Sequence, residues 1–261
     1  MTSNRLGRIW GLVAEQAAIR GGRVSAGDVC AAVVSEVEVT GAWLTAVRGT
    51  EAGHLMWVTD AVSERLAELH LTLGEGPSLD ASGTGGPALA SDLADGDSGA
   101  RWPAFAPAAL GVGAAAVFAF PLAVGAIRAG VLGLYRDRPG SLNGFQLGDA
   151  LVFADTATLL LLDAGNLEDG NEEDGNREAE DQGSRAGPGG QPAGLALHRA
   201  EIDQATGMLT EQLGVSITDA FVRLRAYAYV NDIQLADVAR DIVARRLRLV
   251  PDPDLPLGDK T

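Results

Sequence analysis

The sequence predicts an α+β domain over residues 1–165, an acidic linker over 166–193 and an all-α three-helix unit over 194–250, with a short tail at 251–261. Three observations carry this. Two pairs of apolar, β-like runs flank glycine-containing turns in the first part, with helical patterns outside them, which is the α+β arrangement. A glycine-rich stretch without an aromatic then concentrates eight carboxylates. Beyond it, apolar residues recur at helical spacing in three short blocks.

The first domain opens with Leu6, Ile9, Trp10, Val13 and Ala17 at helical spacing, an amphipathic helix that Gly21-Gly22 ends. Ser25 with Asp28 three residues on has the form of a capping box and starts a second helix through Val37. Ala42–Arg48 and His54–Thr59 read as one hairpin, and Ala61–Leu73 as a helix. Gly74-Glu75-Gly76-Pro77-Ser78 reads as a loop, followed by a short strand near Pro87–Ser91. Ala114–Leu122 and Arg128–Tyr135 flank a turn around Gly125 and form a second hairpin. Asn143–Leu162 closes the domain as a long helix.

The linker carries Glu168, Asp169, Glu172, Glu173, Asp174, Glu178, Glu180 and Asp181 against only Arg177 and Arg185, so it is expected to be disordered. It also accounts for much of the formal net charge of −15, which opposes a whole-chain electrostatic grip on nucleic acid. Leu195–Leu249 is about neutral, with seven arginines against seven carboxylates, and Arg240, Arg245, Arg246 and Arg248 crowd its end.

In this last unit Ile202, Ala205, Leu209 and Leu213 form one stripe, stopped by Gly214. Ser216 and Asp219 open a second helix, striped by Phe221, Leu224 and Ala228. Leu235, Val238, Ala239 and Ile242 face inward from a third, which ends before Pro251. Ala205, Gly207, Ala220 and Ala239 are small enough to let the helices approach closely.

The same residues carry a resemblance. Glu201-Ile202-Asp203-Gln204-Ala205-Thr206-Gly207-Met208-Leu209, then Gly214-Val215-Ser216, Ala220-Phe221, Leu224-Arg225, Asn231, Leu235, Asp237-Val238-Ala239 and Ile242-Val243, resemble an ANTAR domain in order and spacing. The resemblance implies an RNA-binding output module that holds paired hairpins of a nascent transcript and blocks a terminator. The family usually has Lys where this chain has Thr206. The expected RNA face is Arg199, Gln204, Thr206, Gly207, Arg225, Arg240 and Arg245, with the arginines on phosphates and Gln204 on a base edge.

A second resemblance, to GAF sensory domains, rests on Leu73-Gly74-Glu75-Gly76-Pro77-Ser78-Leu79-Asp80-Ala81, Ser91-Asp92-Leu93, Arg101-Trp102-Pro103-Ala104-Phe105, Phe120-Pro121-Leu122 and Gly130-Val131-Leu132-Gly133-Leu134-Tyr135. It implies a five- or six-stranded antiparallel sheet with helices on one face and a ligand-sized cavity on the other. It also implies homodimerisation through the first and last helices. Trp43, Trp57, Trp102, Phe105 and Phe118 either line an effector pocket there or fill the core. Many relatives have Cys where this chain has Ser78, so a thiol-based sensor is not expected.

Other chemistry is poorly supported. Cys30 is the only cysteine, which excludes an internal disulfide and a cysteine-held metal. His54, His70 and His198 are far apart and lack an i, i+4 partner. Gly83-Thr84-Gly85-Gly86 lacks the Gly-Lys-Ser/Thr ending of a phosphate loop, and Asp92, Asp95 and Asp97 lack the terminal glutamate of a calcium loop. No enzyme and no cofactor are expected. Glu15 and Arg20 interrupt any secretory pattern, and Val112–Ala126 is too short to span a bilayer, so a cytoplasmic protein is expected. The reading is therefore an RNA-binding antitermination regulator; a DNA-binding regulator and a protein-interaction scaffold remain the alternatives.

Overall fold

The computed structural model describes residues 2–46, 54–125, 127–172, 193–231 and 233–249. The chain divides into two compact units, Met1–Ala193 and Gly194–Thr261.

The first unit is built on five antiparallel strands: β1 (Gly41–Ala46), β2 (His54–Val58), β3 (Ala88–Ala90), β4 (Ala116–Val124) and β5 (Ile127–Arg136), in the spatial order β2-β1-β5-β4-β3. Strand alternation sorts its side chains onto two apolar layers. Ala42, Leu44, Phe118, Phe120, Leu122, Leu132 and Leu134 point to one face. There they meet α1 (Thr2–Arg20), α2 (Ala26–Val37) and α7 (Gly144–Glu172). Trp43, Val117 and Tyr135 point to the other face, beneath α3 (Ala61–Leu73) and α6 (Phe105–Gly111). A smaller group, Ala81, Ala88, Ala119 and Val131, seats α4 (Pro77–Thr84) on that second face. The expected single helical layer is thus corrected: both faces of the sheet are covered by helices, because both sets of alternating residues are apolar.

The termini of these helices show why they start where they do. Ser25 and Asp28 form the full reciprocal capping box of α2, and Arg20 from the end of α1 reaches Asp28 at 2.8 Å. Burial pushes the Asp28 pKa up, but the bonds from Arg20 and Ser25 outweigh it and hold the carboxyl below its ordinary value. Asp60 caps α3 by accepting the Ser63 N–H at 2.8 Å. Three helices lay outside the sequence reading. The segment read as a loop at 74–78 ends by opening α4, with Pro77 in the first helical position. Asp95, considered above with the calcium-like spacing, instead caps α5 (Gly96–Arg101) by accepting the Ser98 N–H at 2.6 Å. α5 and α6 span six and seven residues, too few turns for a periodic stripe.

Within α7, Gly144–Ala164 is long and apolar enough to cross a membrane by length and composition. Its Ala150, Phe153, Ala154 and Ala157 are instead buried against the sheet. α7 continues through Glu172, so 166–172, expected in the linker, are helical; the rest of the expected linker up to 192 lies outside the described residues.

The second unit has α8 (Ala193–Leu213), α9 (Ile217–Val230) and α10 (Leu235–Val243). Its core is Ala205, Leu209, Leu213, Ala220, Leu224, Ala228, Leu235, Val238, Ala239 and Ile242, all buried. Ser216 caps α9, accepting the Asp219 N–H at 3.1 Å. α10 ends in a Schellman motif, with the Arg246 N–H bonded to the Asp241 carbonyl at 2.8 Å and that of Arg245 to the Ile242 carbonyl at 2.9 Å. The left-handed residue of this motif is Arg245 (φ 57°) rather than glycine.

Candidate functional site

The three-helix unit separates the seven expected RNA-face residues sharply. α8 is tied to the α10 end of the unit at two points: Arg240 Nε lies 3.2 Å from the Glu201 carboxylate, and the Gln212 amide donates to the Leu249 carbonyl. Glu201, Ala205, Met208 and Gln212 mark this seam by helical spacing, and Gln204 and Gly207 follow on its outer flank. Both are exposed. A Cβ added at Gly207 would meet nothing within 4 Å, so its smallness serves no helix contact inside the unit. That corrects the expectation that Gly207 lets the helices pack closely. A helix-interior glycine costs about 0.5–1 kcal/mol relative to alanine, and the fold receives nothing in return. Arg245 is exposed at the end of α10 in a backbone conformation that costs a non-glycine residue roughly 1–2 kcal/mol.

The other members stand apart. Thr206 is 5 % exposed, and its hydroxyl donates to the Ile202 carbonyl at 2.7 Å, so it turns into the unit and not toward a partner. Arg240 is held by Glu201 and, at 2.7 Å, by Asp237, and these carboxylates raise its pKa. Arg225 is half-buried with its guanidinium 5.8 Å from the Phe221 ring centroid, and burial lowers its pKa. Thr206 is turned into the fold, and Arg225 and Arg240 have partners within the unit, which a helix period does not reveal. The side chain of Arg199 lies outside the described residues, as does that of His198. Arg248, not among the seven, is exposed just beyond α10, whereas Arg246 is paired with Asp241 at 2.6 Å. The crowding of arginines at the chain's end was the signal for Arg248.

In the first unit the sheet divides the five aromatic pocket candidates. Trp43, Trp102 and Phe105 share the layer beneath α3 and α6. Phe118 lies in the opposite layer, and Trp57 packs on that same side against Gly27 of α2. The five do not line one cavity.

Two of them instead flank a residue that spacing did not single out. His70 of α3 has its ring centroid 4.1 Å from that of Phe105 and 5.6 Å from that of Trp43. Its Nδ1 lies 2.7 Å from the Leu66 carbonyl; that bond assigns the proton to Nδ1 and leaves Nε2 as an acceptor. Burial pushes the His70 pKa down to about 3. Its Nε2, the Trp43 Nε1–H and the Ser78 hydroxyl are buried without a hydrogen-bond partner. Gly76, at φ 117°, lets the chain pass this ring, since a Cβ there would lie 2.9 Å from Nε2. Trp43 sits over Gly133, its partner on β5, where a Cβ would come within 2.0 Å of the indole. Buried polar groups without partners are uncommon, and Trp43, His70 and Ser78 each carry one. Cys30 is fully buried and burial raises its pKa, which keeps the thiol protonated and inert. Among the described residues no cluster of His, Cys, Asp and Glu could hold a metal ion.

Comparison with known proteins gives one family match: residues 196–243 match the ANTAR domain. No curated protein matches the chain. The chain is similar to the solved GAF domain of an Acinetobacter phosphoenolpyruvate-protein phosphotransferase, with 13% identity over 65% of this chain and 98% of that one, at a TM-score of 0.47. The GAF domain of the Coxiella burnetii phosphoenolpyruvate-protein phosphotransferase shows 12% identity over 63% and 98%, also at 0.47. A domain of a Sinorhizobium meliloti two-component sensor histidine kinase protein shows 17% identity over 54% and 91%, at 0.42. The segment that matches the ANTAR domain thus falls within α8 to α10, after a unit of five antiparallel strands between helices.

Proposed function

We propose that the chain is a transcription antitermination regulator whose three-helix unit binds RNA hairpins under control of the sensory unit. The ANTAR match supports the class of partner. The observation that carries the surface is Gly207: it is exposed in mid-helix, meets nothing of its own unit, and leaves a flat place for a backbone to approach. Gln204 beside it supplies an amide for a base edge, and Arg245 and Arg248 supply exposed guanidinium groups for phosphate.

Two chains acting together would present two such surfaces to paired hairpins and raise the effective concentration of the second contact. α7 offers an exposed strip, Leu151 and Leu159, for a homodimer. In the sensory unit the polar point at Trp43, His70 and Ser78 suits a small uncharged effector that donates to His70 Nε2 and accepts from the Trp43 indole. The protein is then an intracellular, cytoplasmic regulator and not an enzyme.

The test compares stability with RNA affinity in two variants. Gly207→Ala is expected to stabilise the unit by about 0.5–1 kcal/mol, and Arg245→Gly by about 1 kcal/mol, through helix propensity and relief of backbone strain. Both are expected to weaken binding to a two-hairpin RNA across a salt series, and Arg245→Gly to flatten the salt dependence as one phosphate contact is lost. Thr206→Val, a change inside the fold, is expected to leave affinity unchanged. Unaltered RNA binding in both Gly207→Ala and Arg245→Gly would remove this surface from the interface.

A further inference from the structure

An exposed stripe on α9 runs between two arginines. Val222, Ala226, Tyr229 and Val230 share one side of the helix by spacing, opposite the buried Ala220, Leu224 and Ala228. Arg223 borders the stripe on one side and Arg225 on the other. Arg225 is half-buried beside Phe221. Arg223 is half-exposed and makes no hydrogen bond or ion pair among the described residues. Asp219, the carboxylate one turn before it, instead accepts from the Ser216 hydroxyl at 2.8 Å. Tyr229 is 58% exposed, and its ring stacks on no other ring among the described residues. In α9 arginines outnumber carboxylates, Arg223 and Arg225 against Asp219, whereas in α8 and α10 carboxylates outnumber arginines.

We infer that this stripe holds an unpaired nucleotide of the hairpin loop, its base stacked on Tyr229 and an adjoining phosphate at Arg223. The inference rests on the RNA-binding reading and adds to it a second contact, on a different helix from Gln204 and Gly207. Charge selects the occupant. A second copy of α9 would bring more arginine than carboxylate to the same seam, which opposes pairing of like with like. A hairpin loop brings phosphates to the cationic borders and a flat base to the ring, the combination by which single-stranded nucleic acid is held. Size selects it too. A stable protein interface draws on about 20–30 residues a side, whereas a stacked base needs little more than one ring.

The test uses the full-length chain, a two-hairpin RNA, and the same RNA with its loop nucleotides replaced by abasic units. Both side chains lie at the surface, so the variants are expected to keep the fold, as far-UV circular dichroism checks. Tyr229→Ala is expected to lose about tenfold in affinity for the intact RNA, and Tyr229→Phe to retain it. On the abasic RNA, wild type and Tyr229→Ala should bind alike, which a merely structural role for the ring would not produce. Arg223→Gln is expected to weaken binding of the intact RNA and to lower its salt slope by about one. Unaltered affinity in both Tyr229→Ala and Arg223→Gln overturns the inference; if Gly207→Ala still weakens binding, the RNA-binding reading stands without it. A tenfold loss in Tyr229→Ala that persists on the abasic RNA also overturns it, since no base then accounts for the effect. Unaltered RNA affinity with a smaller sedimenting species in Tyr229→Ala assigns the stripe to a protein contact and overturns it likewise. Wild type that binds neither RNA overturns both readings together.

Discussion

His70 shows how a single residue can be legible as a position and illegible as chemistry. The sequence places it in a helix as an isolated histidine, because neither Trp43 nor Phe105 is near it in the chain. In the fold its ring is sealed between theirs and held neutral. The pH consequence has a definite sign. The unfolded chain takes up a proton near pH 6.5, whereas the folded one does so only near 3. Stability from this residue is complete above pH 6.5 and falls as pH drops through the interval between those values, by about 1.4 kcal/mol per pH unit. Urea unfolding followed by tryptophan fluorescence should therefore show a lower midpoint at pH 5.5 than at 7.5. In His70→Phe, which keeps a ring against Phe105 and removes the titration, most of that difference should vanish. An equal fall in both proteins would assign the acid sensitivity elsewhere. Thr206 and Arg240 teach the same lesson from the other side. Their residue types suggested a partner, but the hydroxyl is turned onto Ile202 and the guanidinium onto Glu201, 39 residues upstream.

Legibility at the level of elements follows length. The long periodic helices α1, α2, α3, α7, α8 and α9 and both hairpins stand in the pattern of apolar residues, and Ser25, Asp28 and Ser216 mark where their helices begin. α4, α5 and α6 have at most eight residues and bury at most three each, so no stripe announces them. Of the second helical layer only α3 is announced, while α4 and α6, which complete it, are not. Element packing also yields a selective test. All four tryptophans, Trp10, Trp43, Trp57 and Trp102, lie in the first unit, whereas Leu224 is fully buried in the second. Leu224→Ala removes about 2–5 kcal/mol from a three-helix core too small to spare it. Far-UV circular dichroism should then lose helix at low temperature while the tryptophan transition stays in place. A shift of the tryptophan transition by the same amount would show the two units to unfold as one.

For the whole molecule, the net charge of −15 would by itself speak against an RNA partner. The three-helix unit escapes that constraint because it is about neutral and spends several of its arginines internally, leaving Arg245 and Arg248 exposed. Affinity from two such cations is modest, which is why pairing of copies matters to the proposed activity. The most direct measurement is readthrough of an intrinsic terminator in purified transcription, with a leader of two adjacent short-loop hairpins upstream and the full-length protein added at increasing concentration. Expected is a rise in full-length transcript that saturates with protein, disappears when the hairpins are scrambled, and is weakened by Gly207→Ala and by Arg245→Gly. Readthrough that stays at its basal level, or rises equally on the scrambled leader, would contradict antitermination by this chain.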